Sequence, residues 1–450
     1  MTASARLSAL DASFLALETP AAHMHVGWAA KLGAPAGGRL PHFVELRDHI
    51  AARLSRAPRY RQKLAPVPLS VHAPEWVDDP GFSVERHVYR APGPLAELVD
   101  EVLSTPLRRE RPLWEIWICE EPETREIGLV GKVHHCMVDG IAAVELASLL
   151  LDPSPEPPAS VDAEWHATPP PSAERLLVRG LVDLLGAQLG VLCGPLRSAT
   201  SPARATRQAA AGTTRVLRAL SHSLGIAPAS ALNGELSPLR HLVSAQRPLC
   251  DIQAVKRRHG TTVNDVMLAA VAGAMRAYLM RRGERPVALK AMVPVSVRSP
   301  DDALGNHISF VFAELPCDEP DPLTRLRSVH ETMSQRKSDG EPEGADLALR
   351  AAALTLPAVQ HALSRLIASP RTFNLVVSNI PGPTEPLYML GCPLQATYPV
   401  VPLAERHALS IGMTSVRDLA CFGICVDREA LPDADQLAHD IDTAITELLE

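Results

Sequence analysis

One ten-residue segment, GKVHHCMVDG at residues 131–140, constrains the fold of this chain more than any other. The apolar residues at positions 127–133 are typical of a short buried strand, whereas residues 141–151 repeat apolar side chains at helical spacing. The two histidines and the Asp-Gly pair are therefore predicted to lie at a turn that joins a strand to a helix.

The side chains at this turn suit proton transfer. An imidazole takes and returns a proton near neutral pH, and Asp139, four residues after His135, is placed to hold that ring in one tautomer. These residues form half of a catalytic triad that lacks its serine, so the base would activate a hydroxyl or amine of the substrate itself. The pattern predicts direct acyl transfer. The structural alternative is a buried histidine pair beside a turn-forming Asp-Gly.

The composition narrows the class of ligand. The chain has 450 residues, of which 46% are hydrophobic, and a formal net charge of −7. It can therefore bury a large core but has no global basic field for nucleic acid, which favours small or lipidic ligands. The eight cysteines lack metal-finger spacing and are expected to be reduced thiols in a cytoplasmic protein. We expect neither a signal peptide nor a membrane-spanning segment.

A proline-rich stretch divides the chain. Residues 152–173 concentrate proline and small polar residues, which is typical of an extended linker. We predict an N-terminal domain at residues 1–151, a linker with a helical segment at residues 152–235, and a C-terminal domain at residues 236–450. The apolar helical pattern at residues 174–196, with the arginine-dotted stretch after it, is interpreted either as an element lying on a membrane surface or as a helical hairpin packed on the domain.

Both halves mix strands with helices, which predicts an α/β fold of two similar layers. Helices are predicted at residues 7–19, 42–55, 261–280, 323–333 and 434–449, and an arginine-rich turn is predicted at residues 56–64. Strands are predicted at residues 24–31, 111–119, 127–133, 289–297, 308–315 and 373–380 and, as a pair, at 407–426.

Several motifs together resemble one protein family. In chain order they are LSALDASFL at 7–15, RPLWEIW at 111–117, HHCMVDG at 134–140, TVNDVMLAAVAG at 262–273, VPVSVR at 293–298, LGN at 304–306 and SNIPGPTEPLY at 378–388. This set resembles the bacterial wax ester synthase/acyl-CoA:diacylglycerol acyltransferases over almost the whole chain. The HHxxxDG pattern alone is shared with wider acyltransferase groups, including peptide-synthetase condensation domains, and the flanking motifs narrow the choice.

The resemblance implies two chloramphenicol-acetyltransferase-like domains with mixed sheets and an active-site tunnel at their interface. It makes His135 the general base, His134 a residue that shapes the site, and Asp139 a structural partner. Asn264 is a candidate donor to the substrate or oxyanion, with helix N-capping as its alternative role. The other residues that the resemblance places in the tunnel, the substrate site or tight turns are Gly140, Asp265, Ser296, Arg298, Gly305, Asn379 and Gly382.

The implied activity is transfer of a long-chain acyl group from acyl-CoA to diacylglycerol or to a long-chain alcohol. We expect no metal and no cofactor, because acyl-CoA is a co-substrate. The expected location is cytoplasmic, peripheral on the inner membrane face or on lipid droplets, with no nucleic acid partner. Two alternatives stay open: a condensation-type or polyketide-associated acyltransferase that uses carrier-protein thioesters, and a non-enzymatic lipid-binding protein.

Overall fold

Two six-stranded mixed sheets form the frame of the protein. The computed structural model describes residues 6–121, 124–137, 149–156, 165–182, 186, 226–296, 308–341 and 357–450. The first sheet contains, in spatial order, β11 (Tyr388–Met389), β12 (Cys392–Val400), β1 (His25–Leu32), β6 (Glu126–His134), β5 (Trp114–Glu121) and β4 (Val88–Arg90). The second contains β7 (Arg240–Pro248), β14 (Leu419–Asp427), β13 (Leu409–Val416), β10 (Leu375–Ile380), β8 (Leu289–Ser296) and β9 (Ile308–Leu315). Strands β2 (Gln62–Ala65) and β3 (Glu75–Asp78) pair separately. The predicted α/β class is confirmed.

Amphipathic helices cover these sheets. They are α1 (Ala9–Leu17), α2 (Phe43–Arg53), α3 (Leu95–Ser104), α4 (Leu249–His259), α5 (Val263–Arg281), α6 (Pro322–Ser338), α7 (Pro357–Ile367) and α8 (Gln436–Leu449), and residues 173–182 are also helical. Helix α3 shows why they form. Its buried residues recur every three or four positions, so they make one apolar stripe that packs on the first sheet. These residues are Leu95, Leu98, Val99, Val102 and Leu103.

Helix α5 is the core helix of the second half. Its N-terminus carries a reciprocal cap, because the Thr262 side chain accepts from the Asp265 N–H and the Asp265 carboxylate accepts from the Thr262 N–H. Among the described residues, α5 is the helix long and apolar enough to cross a membrane, with a mean hydropathy of 1.2. It is largely buried against α8 and the second sheet, so it packs as a core element.

Strand β12 joins the two halves. It lies late in the chain, yet it pairs antiparallel with β1, with Val400 opposite Gly27 and Thr397 opposite Ala30. Strand β12 also contacts β13 and β14 of the second sheet. Residues 388–400 therefore complete the first sheet, so the C-terminal part of the chain supplies two strands to the sheet of the N-terminal part.

The helix predicted at residues 42–55 and the turn predicted after it are both present. Helix α2 ends at Arg53, a short 3₁₀ turn begins at Pro58, and β2 begins at Gln62. Proline lacks the N–H that an α-helix needs and restricts the residue before it, so Pro58 cannot continue α2. Proline also limits β8, whose pairing with β10 is confined to Ala291 and Met292, before Pro294.

The middle of the chain is described only in part. Asp152 exchanges two backbone hydrogen bonds with Tyr388, of 2.7 and 2.8 Å, and its buried carboxylate pairs with Arg53. Residues 149–152 are thereby fixed between α2 and β11. Of the apolar pattern at residues 174–196, residues 174–182 and 186 are described, and the remainder and the arginine-dotted stretch at 197–218 lie outside the described residues.

Candidate active site

His135 lies directly after β6, at the predicted end of the strand. Its backbone N–H donates to the carbonyl oxygen of Met24 at 2.9 Å, which holds the turn against the start of β1. The ring of Phe14 on α1 lies parallel to its imidazole, with centroids 3.7 Å apart and planes 11° apart. The imidazole is therefore held between a strand end and a helix. Asp139 and Gly140 lie outside the described residues.

The neighbouring histidine has a different environment. His134 is 1% exposed, and its Nδ1 accepts from the backbone N–H of Cys136 at 3.1 Å. Because Nδ1 accepts, the neutral ring carries its proton on Nε2, which lies 3.6 Å from Oε2 of Glu18. Both nitrogens of His134 thus face protein groups. The role of His134 in shaping the site stays a prediction.

Glu18 lies behind the histidine pair. It follows α1, contacts His134, and forms an ion pair with Arg109. Burial alone would raise the pKa of the Glu18 carboxyl, but the contacts with His134 and Arg109 outweigh this effect and lower the pKa. Glu18 is therefore an ionised anchor behind the active-site turn at neutral pH. No local sequence signal reveals this, because Arg109 is 91 residues away.

A cavity of about 260 Å³ lies between the two sheets, and His135 lines it. Helix α1 forms one wall, with Leu10, Ser13, Phe14 and Leu17. The second sheet forms the opposite wall through alternate residues of β10, namely Val376, Ser378 and Ile380. The wall is almost entirely apolar, so the base lies in a site suited to aliphatic chains and poor in water.

Cys136 immediately follows the candidate base but is not a nucleophile. It is 2% exposed, and burial raises the pKa of its thiol far above the usual range. A thiol attacks as the thiolate, so Cys136 stays protonated and unreactive. This supports transfer without an acyl-cysteine intermediate.

Two further buried histidines lie beside the site, and the sequence analysis did not single them out. His25 is directly opposite His134 in the β1–β6 pair, and the His23 and His25 ring centroids are 5.3 Å apart. Burial lowers the pKa of His23, and burial together with the charge of Lys132 holds the pKa of His25 well below its usual range. Both rings are therefore neutral at pH 7.

Lys132 fixes the strand that carries the histidines. Its buried ammonium donates to the carbonyl oxygens of Val102 and Thr105, both at 2.8 Å, and lies 3.3 Å from a carboxylate oxygen of Glu115. The carbonyls belong to the C-terminal end of α3, where a positive charge is favourable. Lys132 therefore ties β6 to α3 two residues before His134.

The predicted Asn-Asp pair lies away from the cavity. Thr262, not Asn264, is the N-cap of α5, and Asn264 follows inside the helix. The Asp265 carboxylate accepts from the Thr262 N–H and from Nδ1 of His330 at 2.8 Å. Helix α5 packs on the face of the second sheet that carries Val377, whereas the cavity lies on the opposite face. The geometry gives Asp265 a structural role and does not support Asn264 as an oxyanion donor.

The remaining predicted residues fall in three groups. Asn379 lies on β10 between cavity-lining Ser378 and Ile380, so strand alternation directs it to the other face. Ser296 ends β8, and its side chain lies outside the described residues, as do Arg298 and Gly305. Gly382 lines the cavity, and a Cβ there would lie 1.8 Å from the carbonyl oxygen of Ser415. This glycine is needed for close packing of the turn on β13.

Comparisons with known proteins agree with this geometry. The model of the wax ester synthase/diacylglycerol acyltransferase catalytic domain matches residues 7–267, and the model of the WS/DGAT C-terminal domain matches residues 304–449. The chain is 35% identical over 462 aligned positions to a probable diacylglycerol O-acyltransferase, tgs1, of Mycobacterium tuberculosis H37Rv, with 98% of this chain and 95% of the relative covered.

Solved structures show the same arrangement. The wax ester synthase/diacylglycerol acyltransferase from Marinobacter aquaeolei VT8 is 27% identical, with a TM-score of 0.70 and 98% of each chain covered. The TRI3 trichothecene 15-O-acetyltransferase from Fusarium sporotrichioides is 13% identical, with a TM-score of 0.65 and coverage of 98% of this chain and 94% of that one, so it shares the fold.

Proposed function

This chain belongs to the wax ester synthase/diacylglycerol acyltransferase family, and on that premise we propose that His135 is the general base with which it transfers an acyl group from acyl-CoA to diacylglycerol or a long-chain alcohol. The observation that carries the proposal is the position of the His135 imidazole on the wall of an apolar cavity between the two sheets. The two neighbouring titratable groups are buried. His134 accepts a hydrogen bond from the Cys136 N–H, and the Cys136 thiol is protonated because burial raises its pKa.

The reaction forms a C–O bond and breaks the C–S bond of the thioester. The imidazole of His135 takes the proton of the acceptor hydroxyl, and the resulting alkoxide oxygen attacks the thioester carbonyl to form the new C–O bond. The tetrahedral intermediate then collapses, the C–S bond breaks, and the CoA sulfur takes the proton back from the imidazolium. No metal or cofactor enters this scheme. The apolar wall limits water near the thioester and so limits its hydrolysis.

A release assay tests this function. Purified protein is given palmitoyl-CoA with diacylglycerol, with hexadecanol, or with no acceptor, and free CoA thiol and ester product are measured together. We expect thiol release that depends on the acceptor and equals ester formation. Thiol release only from an acyl-loaded carrier protein would support a condensation-type enzyme instead. Lipid binding without ester formation in any arm would support a non-enzymatic lipid-binding protein.

The protein also docks at a lipid surface, in the cytoplasm, on the inner membrane face or on lipid droplets. The helix at residues 173–182 supports this, because Leu176 is buried whereas Val178 and Val182 are 60% and 61% exposed. Gly180 packs on the loop that carries Leu69, which is 84% exposed. Exposed apolar side chains on two adjacent elements fit a lipid layer, where diacylglycerol and long-chain alcohols reside.

A further inference from the structure

A row of cavity-lining residues follows β1 away from His135. Its alternate residues Val26, Trp28, Ala30 and Leu32 all line the cavity, as expected when one face of a strand forms a wall. The row begins beside the base, because the His135 N–H is bonded to Met24 at the start of the strand. An aliphatic chain whose reacting carbon lies at His135 can therefore extend along β1.

The row is not uniform, since one member is a tryptophan. Trp28 is opposite Gly131 of β6 and Pro399 of β12, and it lies three residues, about 10 Å of strand, from His25 beside the active-site turn. Beyond it the wall continues with small or aliphatic residues. These include Ala30, Leu32, Leu129 and Leu394. The indole thus divides the row into a part near the base and a part beyond it.

The indole lies in the space left by a missing side chain. A Cβ at Gly131 would fall 2.4 Å from Cε2, 2.5 Å from Cζ2 and 2.8 Å from Nε1 of Trp28. Real Cβ atoms do not approach a ring so closely, so any larger residue at 131 would push the indole out of this position. Gly131 therefore determines how far the Trp28 ring protrudes into the cavity.

We propose that Trp28, lying on Gly131, is a specificity-determining residue that limits the length of the aliphatic chain accepted along β1. The inference rests on the proposed function, because it takes His135 as the point from which the chain extends. The ligand is a saturated hydrocarbon chain, either the acyl chain of the donor or the alkyl chain of the acceptor. Replacing the indole with a small side chain opens the wall beyond it to further methylene groups, each of which gains from burial.

The experiment compares chain-length profiles of full-length variants. Activity is measured with octanoyl-, dodecanoyl- and palmitoyl-CoA at a fixed acceptor, and then with octanol, dodecanol and hexadecanol at a fixed donor. For Trp28→Ala we expect kcat/KM for the longest chain, relative to the shortest, to rise about tenfold in one of the two series. The series that changes identifies the chain. Trp28→Leu, which keeps more of the packing, should give a smaller shift in the same direction.

Two further variants separate this effect from general damage. Gly131→Ala should shift the preference toward shorter chains, but it should have no effect in the Trp28→Ala background, where the space is already free. Trp117→Ala is the matched control, because the Trp117 ring packs against Tyr89, with centroids 4.5 Å apart, and does not line the cavity. This substitution removes an indole, and we expect it to leave both chain-length profiles unchanged.

The outcomes are distinct. Unchanged profiles in both series for folded, active Trp28→Ala and Trp28→Leu proteins would overturn the inference. If the wild-type protein forms no ester at all, the proposed function fails, and the inference is judged by calorimetric binding of the same acyl-CoA and alcohol series. In that binding assay, a longer preferred chain in the Trp28 variants supports the inference, and binding profiles identical to those of the wild type overturn it.

Discussion

His241 on β7 and Asp100 on α3 are joined by a hydrogen bond of 2.7 Å between Nδ1 and Oδ2. Nε2 of the same ring lies 3.0 Å from Oδ1 of Asp435, just before α8. One imidazolium therefore bridges the N-terminal α3 and the helical layer of the second sheet. The hydrogen bond with Asp100 raises the pKa of His241 to about 9, and the bond with Asp435 adds to this effect.

This bridge should make stability depend on alkaline pH. The pKa of His241 is higher in the folded protein than in the unfolded chain, so its contribution is complete below about pH 6.5 and is lost as the pH rises through about 9. We expect the free energy of unfolding of the wild type to exceed that of His241→Gln by about 1 kcal/mol at pH 6, and the difference to vanish by pH 10. Urea unfolding at several pH values measures it. A constant difference across this range would contradict the bridge.

His135→Ala tests the catalytic assignment. Loss of the general base should reduce turnover by about 10²- to 10⁴-fold and leave the affinity for acyl-CoA largely unchanged. His134→Ala should reduce turnover less, because His134 faces Glu18 rather than the cavity. The rate of ester formation and, by calorimetry, the affinity for acyl-CoA are measured on folded protein. Near-normal turnover of His135→Ala would refute the mechanism.

The stack of Phe14 on His135 predicts a smaller effect on rate. Phe14→Leu keeps an apolar side chain but loses the ring, so kcat should fall by up to about tenfold while KM for acyl-CoA changes little. Phe14→Tyr keeps the ring and should retain most of the wild-type kcat. Equal losses in the two variants would show that the stack does not position the imidazole.

Gly382→Ala tests the packing of the turn after β10. The added Cβ would lie 1.8 Å from the carbonyl oxygen of Ser415, and a backbone atom of β13 cannot move aside cheaply. We expect the free energy of unfolding to fall by about 3 kcal/mol. Gly234→Ala is the control, because nothing lies within 4 Å of a Cβ there. Similar unfolding midpoints for both variants would contradict this packing.

The exposed apolar helix at residues 173–182 predicts lipid binding. Val178→Ser with Val182→Ser should reduce flotation with liposomes and lower activity on diacylglycerol, but spare activity on a short soluble alcohol. Val44→Ser is the control, since Val44 is 51% exposed on α2.

The sequence also predicts weaker binding to anionic vesicles when arginines outside the described residues are changed to Gln. These are Arg197, Arg204, Arg207, Arg215 and Arg218. Unchanged flotation would identify the segment as a packing element.

Local patterns predicted most strands and helices, and non-local contacts explain what they missed. Strand β9 has its predicted bounds, and β6 extends one residue beyond its predicted bounds at each end. Both strands were predictable because alternating or continuous runs of apolar residues are typical of strands. Strand β12 was not predicted. Its position beside β1 depends on pairing between residues more than 360 positions apart, such as Gly27 and Val400, and no local pattern encodes that pairing.

The candidate site was likewise predictable only where it depends on local sequence. The HHxxxDG pattern located His135 at a strand end, but the partners of that region come from distant parts of the chain. Phe14 and Glu18 lie more than a hundred residues before it in the sequence, and Trp28 was predicted only as part of a strand. The sequence left the role of the Asn264–Asp265 pair open, because the same residue types cap helices and bind substrates.

The late position of β12 has a consequence for synthesis on the ribosome. The strands that carry the histidines have left the ribosome long before residue 400, and at the usual rate of elongation the delay is on the order of tens of seconds. During that time β1 keeps an open edge, which is a site for pairing with other chains. The catalytic half therefore acquires its closed cavity only near the end of translation, and a nascent chain that stalls earlier exposes an aggregation-prone, inactive sheet.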